Sequence, residues 1–286
     1  MAHGRHRRSA LLYPLTFVLV AAVAPLESAR ADNAVPNHPA LSDRFYIALG
    51  AFVPKSSTSA QLNSTGLLGL GTNIDFERAL GMTTQKVVPD VFARWRFAER
   101  WRLEVAYFEL NRSGDTVIQQ EIHWGDQDFL VGTEIQSKLN FSDLRTSVGY
   151  SVFRRPDKDV GVALGVHAAT YDASLAAVGT GVVAGGASEE HKIVAPLPVL
   201  SVYGQFALTD EWAIETRLDR FAVSFNNIYG NITSSVVDLN YQPFRHVGFG
   251  LGYRSFFINV RVTRPSWTAA FSQSYQGPFA YMNASF

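Results

Sequence analysis

The stretch Trp101-Arg102-Leu103-Glu104-Val105-Ala106-Tyr107 alternates apolar residues with charged or small ones. A repeat of two residues is the periodicity of a β-strand, because successive side chains of a strand point to opposite faces. The charges of Arg102 and Glu104 lie together on one face, and the aromatic and aliphatic side chains lie on the other. The stretch therefore predicts a strand with one apolar face and one polar face.

The same alternation recurs along the chain of 286 residues, and no low-complexity linker divides the chain into separate domains. The clearest further examples are residues 45–53, 90–97, 143–152, 160–167, 212–219 and 247–254. Alternation alone also suits a soluble periplasmic or secreted β-sandwich, whose apolar face is turned inward. The periodicity therefore predicts an all-β domain and leaves its surroundings open.

The connections between these segments alternate between short and long, which is typical of outer-membrane barrels with tight periplasmic turns and longer external loops. The short connections are residues 98–100, 155–159, 209–211 and 242–245, and the candidate loops are residues 55–87, 113–128, 176–196, 226–230 and 263–274. Aromatic residues near the strand ends predict interfacial girdles: Phe97, Trp101, Trp212, Tyr241, Phe244, Phe256, Phe257 and Trp267. The pattern predicts an antiparallel up-and-down transmembrane β-barrel of about ten strands, with eight or twelve as alternatives.

The N-terminal segment has the order of a cleavable signal peptide. Arginines at positions 5, 7 and 8 precede an apolar run over residues 11–24, and Ala29-Arg30-Ala31 follows. Small residues spaced in this way, Ala29 and Ala31, mark a cleavage site. The run is shorter than the ~20 residues of a helical membrane anchor, which is the alternative. We expect a signal peptide over residues 1–31, a periplasmic lead over residues 32–43 and the barrel over residues 44–286.

The chain ends on Gly277-Pro278-Phe279-Ala280-Tyr281-Met282-Asn283-Ala284-Ser285-Phe286. This amphipathic segment resembles the C-terminal assembly signal of bacterial outer-membrane proteins, in which a terminal Phe is recognised by the barrel-assembly machinery. Together with the signal peptide and the strands, it makes the chain resemble the small outer-membrane β-barrel class of Gram-negative bacteria. The resemblance implies export through the Sec pathway, assembly through Phe286, and outer-membrane lipid and lipopolysaccharide as partners.

Residues for a catalytic or cofactor site are scarce. There is no cysteine, the histidines form no His-x-x-x-His pair, and the balance of 25 basic and 25 acidic residues gives no reason to expect nucleic acid as a partner. The glycine-rich residues 179–185 lack the helix that a dinucleotide site needs. We expect no cofactor and no metal.

One loop grouping offers an enzymatic alternative. His123 lies near Asp126 and Asp128, and omptin-type proteases use His and Asp at the mouth of a ten-strand barrel. The alternative is therefore a surface hydrolase acting on lipid A, phospholipid or peptides. The leading hypothesis is a non-enzymatic protein whose work is structural, surface-binding or limited passage of small solutes.

The polar strand face predicts a charged lumen, with arginines at positions 44, 94, 96, 102, 145, 217 and 254. Six acids share this face: Asp90, Glu104, Asp143, Glu215, Asp219 and Asp238. A selective pore usually carries one sign of charge, whereas near-balance in a narrow interior favours pairing. We predict a luminal charge network of Arg94, Arg96, Arg102, Glu104, Asp143, Arg145, Glu215, Arg217, Asp219 and Arg254, as a salt-bridged plug or a selectivity lining.

Overall fold

The structure is a computed structural model that describes residues 35–64, 72–119, 121–124, 127–178, 188–225, 227–263 and 267–286. The predicted signal peptide, with Ala29 and Ala31, and the glycine-rich residues 179–185 lie outside these ranges. No helix within the described ranges is long and apolar enough to cross a membrane.

Strands make up most of the described chain. In order, the elements are α1 (Pro39–Ser42), β1 (Phe45–Phe52), β2 (Lys55–Ser64), β3 (Thr72–Asp75), α2 (Phe76–Ala79), β4 (Val88–Trp95), β5 (Trp101–Val117), β6 (Ile122–Trp124), β7 (Gln127–Phe129), β8 (Glu134–Arg155), β9 (Lys158–Ala177), β10 (Ser188–Ala207), β11 (Trp212–Phe225), β12 (Ile228–Tyr241), β13 (Val247–Thr263) and β14 (Trp267–Ser285).

The strands form an antiparallel barrel. Ten of them pair in the order β1-β4-β5-β8-β9-β10-β11-β12-β13-β14, and β1 pairs again with β14 to close the ring. Strand β2 continues the wall beyond β1 by pairing with residues 267–276 of β14, and β3 pairs with β2, so the described sheet has twelve strands. Strands β6 and β7 form a separate hairpin. The predicted all-β, antiparallel up-and-down barrel is confirmed.

The outward face of the barrel carries an apolar belt next to the tight turns. On β13 the outward side chains from Val247 to Phe257 are mostly apolar, and Asn259 and Arg261 follow. At ~3.3 Å per residue and a tilt of ~40°, such a stretch spans ~25 Å, the height expected of the apolar band of a membrane barrel. The outer face of this belt carries apolar residues from several of the alternating segments, and we expect them to face lipid: Ile47, Leu103, Val105, Val162, Leu164, Ile214, Leu251 and Tyr253.

Several strands extend well beyond the belt, so part of the predicted loops is strand. Strand β5 continues to Val117, β10 begins at Ser188, β12 at Ile228 and β14 at Trp267, all within the candidate loops, and β8 begins at Glu134, ahead of the predicted strand at residues 143–152. The reason is that the apolar and polar residues exchange faces along these strands. On β8 the outward residues change from Leu144 and Val148 near the turns to Lys138 and Glu134 farther away, and the inward residues become apolar. The far half of the barrel thus has the polar outer face and apolar interior of a soluble β-barrel.

The predicted aromatic girdle is corrected at one position. Phe256 is buried inside the barrel, because it follows the inward phase of β13, whereas its neighbour Phe257 points outward. The side chain of Trp267 lies outside the described residues. At the turn end, Trp95, Trp101 and Trp212 are exposed on the outer face, with Tyr150 against Trp101 and Tyr241 against Trp212.

Candidate functional site

The barrel interior near the turns is filled with charged side chains. They occupy inward positions of β4, β5, β8, β11 and β13, where alternation places every second residue in the lumen. Of the seven arginines predicted on the polar strand face, Arg44 is not luminal: it precedes β1, is exposed, and its backbone N–H donates to the carbonyl oxygen of Phe286. The ten residues of the predicted network come together in four groups, whereas Asp238 of the polar face accepts a hydrogen bond from the hydroxyl of Tyr281 at 2.6 Å.

Glu104 is the centre of the first group. Its Oε1 lies 3.0 Å from Arg102 Nε, and its Oε2 lies 4.0 Å from Arg145 Nη2 and accepts a hydrogen bond from Arg217 Nη1. Arg217 also donates from Nη2 to the hydroxyl of Ser201 at 2.8 Å. One carboxylate therefore serves three guanidinium groups, all of them buried.

Asp219 is the centre of the second group. Its Oδ1 accepts from Arg217 Nε at 2.6 Å, and its Oδ2 accepts from Arg145 Nη1 at 3.2 Å. The same Oδ2 lies 3.6 Å from His167 Nε2, while His167 Nδ1 lies 2.8 Å from Asp143 Oδ2. The imidazole ring is thus held between two carboxylates, and Arg217 joins this group to the first.

The third group lies toward the turns and includes an acid that sequence analysis missed. Arg96 Nη2 donates to Asp159 Oδ2 at 2.8 Å, and Arg102 Nη1 lies 3.9 Å from the same oxygen. Arg94 Nη1 donates to Glu215 Oε2 at 3.2 Å. Asp159 was assigned to the turn at residues 155–159, yet it is fully buried. The alternation of β9 was the signal, since Asp159 shares the phase of Gly161 and His167.

In the fourth group Arg254 makes a two-pronged contact with Asp90, at 2.6 and 3.0 Å. Its guanidinium carbon also lies 5.2 Å from the ring centre of Phe52 and 5.1 Å from that of Phe279, within cation–π range. Paired geometry of this kind is the strongest form of Arg–carboxylate contact.

Arg102 is additionally held against an aromatic ring. Its guanidinium carbon lies 3.2 Å from the ring centre of Tyr203, whose hydroxyl lies 3.1 Å from Ser151 Oγ. The ring reaches this position because Gly161 has no side chain; a Cβ there would collide with the Tyr203 hydroxyl and ring. The glycines opposite the apolar phase of β9 therefore make room for the luminal side chains.

An aromatic layer lies beyond the charges, farther from the turns. Phe256 and Tyr275 stack with ring centres 4.5 Å apart, and Phe108 and Phe141 contact Tyr275 at 5.1 and 5.4 Å. A second apolar cluster fills the far half of the barrel, with buried residues from α2, β8 and the β6–β7 hairpin. Burying this apolar surface stabilises the barrel.

Residues 35–43 close the turn end. Arg94 Nη2 donates to the carbonyl oxygen of Ala40 at 2.5 Å, and Arg96 Nη2 donates to that of Leu41 at 3.4 Å. Ala40 and Leu41 are buried against Tyr46, Ala48 and Ala213. The segment predicted as a periplasmic lead therefore folds into the barrel through its helix α1, which we call the turn-end plug (residues 35–43).

His38 holds the turn-end plug in one protonation state. The Ala40 N–H donates to His38 Nδ1 at 3.1 Å, and His38 Nε2–H donates to the carbonyl oxygen of Glu211 at 3.2 Å. An amide can only donate and a carbonyl can only accept, so these two contacts require the neutral ring. Burial lowers the pKa of His38 below its ordinary value of 6.5, against the opposing effect of Glu215.

Two cavities lie between these layers among the described residues. A cavity of about 80 Å³ lies among the charges and is lined by Glu104, Arg145, Arg217, Asp238, Arg254 and Tyr281. A second cavity of about 30 Å³ lies beside His167 and Tyr275. Cavities of this size hold a few water molecules.

The loop grouping considered for catalysis is described only in part. Asp126 and the side chains of His123 and Asp128 lie outside the described residues, and the backbones of His123 and Asp128 are paired between β6 and β7. The described residues contain no group of three or more potential metal ligands. His167 contacts carboxylates inside the barrel and not at its mouth.

Comparisons with known proteins identify the type of fold. No family model matches the chain, and no curated protein matches it significantly. Among solved structures, the outer membrane protease OmpT from Escherichia coli is similar over 89% of this chain and 99% of its own, with a TM-score of 0.52 and 8% identity. The translocator domain of autotransporter NalP from Neisseria meningitidis is similar over 86% and 91%, with a TM-score of 0.47 and 10% identity. Ail from Yersinia pestis is similar over 82% and 99%, with a TM-score of 0.33 and 7% identity.

The likeness to OmpT, at this low identity, concerns the fold. By architecture the chain is a β-barrel of the kind found in Gram-negative outer membranes.

Proposed function

We propose that this chain is a non-enzymatic integral outer-membrane protein whose barrel is closed to solutes and serves as a structural support for its external surface. The observation that carries the proposal is the filling of the lumen in successive layers. The turn-end plug, the ion-pair groups and the aromatic layer follow one another from the turns outward.

The charge balance supports a closed lumen over a selective pore. Arg102, Arg145 and Arg217 are all within 4.0 Å of Glu104 or Asp219, so these central charges are paired with each other and do not line an open path. A buried charge without a partner costs several kcal/mol, and a passing ion would have to separate these pairs. The network Arg94, Arg96, Arg102, Glu104, Asp143, Arg145, Glu215, Arg217, Asp219 and Arg254 therefore acts as a plug in this proposal.

The far half of the barrel supports a role at the cell surface. Its outward residues are polar and its interior is apolar, so it is suited to stand in water as a rigid extension of the membrane-embedded half. We propose that it holds the external loops above the membrane, with lipid and lipopolysaccharide around its base. The barrel-assembly machinery, through Phe286, is the proposed partner during insertion.

Single-channel recording in planar bilayers tests closure. We expect no steady conductance from the full mature chain, whereas a variant lacking residues 35–43 and carrying Glu104→Ala should conduct, because a closing segment and a central partner are both removed. Protease protection of the barrel in the same vesicles shows that silent protein is inserted. A large, steady, ion-selective conductance of the unmodified chain would reject the proposal.

Enzyme assays test the non-enzymatic part. Purified protein is incubated with lipid A, phospholipid and basic peptides, beside a His123→Ala variant. We expect no turnover from either protein. Turnover that disappears in His123→Ala would replace the proposal with a surface hydrolase.

A further inference from the structure

The barrel wall is incomplete between β10 and β11. These two strands pair only from Leu200–Arg220 to Ala207–Ala213, although β10 pairs with β9 from Ser188 onward and β11 pairs with β12 as far as Phe225. Within the described residues, no backbone hydrogen bond joins residues 188–199 to residues 221–225. The two strands therefore leave a seam in the wall beyond Leu200 and Arg220, on the side away from the turns.

Two prolines account for the seam. If the β10–β11 register continued, Pro198 would lie opposite Ala222 and Pro196 opposite Ser224. The Ala207 N–H donates to the carbonyl oxygen of Asp157, on the β9 side. The backbone N–H and C=O groups of odd-numbered residues of β10 therefore point toward β9, and those of even-numbered residues point toward β11. Proline has no N–H to donate, and within sheets it is confined to edges. The sequence Pro196-Leu197-Pro198 thus prevents the ladder from closing.

The seam is apolar on the outer face of its β10 edge and on the inner face of both edges. On the outer face, Val194 is 58% exposed, and Pro196 and Pro198 are exposed beside it. On the inner face, Leu197 and Phe221 pack against the aromatic layer. Val223 shares the inward phase of Asp219 on β11, yet it is 39% exposed. An inward-facing residue with this exposure indicates that the seam opens the apolar interior to the surroundings.

The seam begins at the edge of the apolar belt. On β11 the outward apolar residues end at Leu218, and the exposed Arg220 follows at the base of the seam. On β10 the outward apolar residues continue from Phe206 through Leu200 to Val194. A strip of apolar surface therefore rises out of the belt along one edge of the seam, with a cation next to its base.

We propose that the seam between β10 and β11 is a lateral binding site for a hydrocarbon chain of an outer-leaflet lipid, and that Arg220 binds the phosphate of the same lipid. The occupant follows from continuity, because the strip begins where the acyl chains of the surrounding leaflet end. It also follows from charge, since an arginine at that height suits a phosphate headgroup. The inference rests on the proposed membrane location, but not on whether the lumen conducts.

A fluorescent label read through lipid-borne quenchers tests the site. The chain has no cysteine, so single-cysteine variants can be labelled without further changes. Val223→Cys places the label at the seam, Leu218→Cys places it on the outer belt, and Ile232→Cys places it inside the barrel, where the native side chain is buried. Each labelled barrel is reconstituted into phosphatidylglycerol vesicles whose acyl chains carry bromine, which quenches on contact.

We expect quenching at Val223→Cys to equal that at Leu218→Cys and to exceed that at Ile232→Cys. Adding Pro196→Val and Pro198→Val restores the missing N–H donors, so quenching at position 223 should fall to the interior value while that at position 218 stays unchanged. Arg220→Gln should weaken quenching at position 223 in phosphatidylglycerol. The control Lys138→Gln, another exposed cation on the far half of the barrel, should not.

The outcomes separate the two proposals. Quenching at position 223 no greater than at position 232, with position 218 quenched, would overturn the lateral site while leaving the membrane location intact. An unquenched position 218 would reject the membrane location itself. Quenching at position 223 that the valine substitutions leave unchanged would show that the prolines do not open the wall, and would overturn the site as proposed.

Discussion

Replacing Glu104 by alanine should destabilise the barrel more than any change of an exposed charge. Glu104 is 3% exposed and contacts Arg102, Arg145 and Arg217. Removing one partner of a buried ion pair costs ~3–5 kcal/mol, because the other charge stays buried without compensation. Asp219 still contacts Arg145 and Arg217, so we expect the lower end of this range, ~3 kcal/mol.

The measurement is urea unfolding of the barrel in phospholipid vesicles, under conditions in which folding and unfolding curves coincide. Glu134→Ala is the matched control, since Glu134 lies on the outer face of β8 and is exposed. Changes at such positions usually stay within ~0.5 kcal/mol. Glu104→Gln keeps the size of the side chain and one acceptor oxygen, so its loss should be intermediate. Equal free energies of unfolding for Glu104→Ala and Glu134→Ala would refute the interpretation of the lumen as a network of mutually dependent charges.

Three further predictions concern the belt, the turn-end plug and the C-terminus. Leu164 is 70% exposed on the belt, so Leu164→Arg should lower the free energy of unfolding in vesicles by ~2–4 kcal/mol. The control Ser174→Arg, farther along β9, should have little effect. Equal losses in the two variants would contradict the assignment of the belt to the membrane. Because the folded chain lowers the pKa of His38, its contribution is complete above the ordinary value of 6.5 and is lost as the pH falls below it. The protection of residues 35–43 against hydrogen exchange, taken relative to the intrinsic exchange rate at each pH, should therefore decrease between pH 7.5 and 5, and His38→Gln should abolish the decrease. An unchanged pH response in that variant would point to another group. Deleting Phe286, whose ring is exposed and lies 5.2 Å from that of His246, should reduce yield in the outer membrane far more than refolding in detergent, and equal losses would assign it a packing role only.

Much of the charged lumen could be predicted from the sequence, because alternation is a local property of a strand. Arg102 and Glu104 share a face whatever the strand pairs with, and the same holds for Arg217 and Asp219. Phe256 could have been placed inside by the same rule, since Tyr253 fixes the outward phase of β13. The girdle prediction was wrong there because it relied on aromatic character alone.

The far half of the barrel was harder to predict because alternation shows that a strand has one apolar and one polar face, but not which of the two faces points into the barrel. From Glu134 to Tyr150 of β8 the backbone alternation continues unchanged, but the apolar phase shifts between Phe141 and Leu144. Read without the structure, this shift breaks the membrane pattern, so residues 134–142 were not included in the predicted strand at residues 143–152. The pairing of β8 with β5 and β9 shows that the same strand continues beyond the belt.

The sequence by itself therefore determined the class of fold, the apolar outer belt and the polar inner face, since each depends on residue order within one strand. Only the tertiary structure decided which charges meet. Arg96 and Asp159, for example, come from different strands, and their 2.8 Å contact depends on the stagger of the closed sheet. The seam depends on both the sequence and the tertiary structure. Pro196 and Pro198 mark a stretch of strand that lacks backbone N–H donors, but only the closed barrel shows that the strand left unpaired beside them is β11.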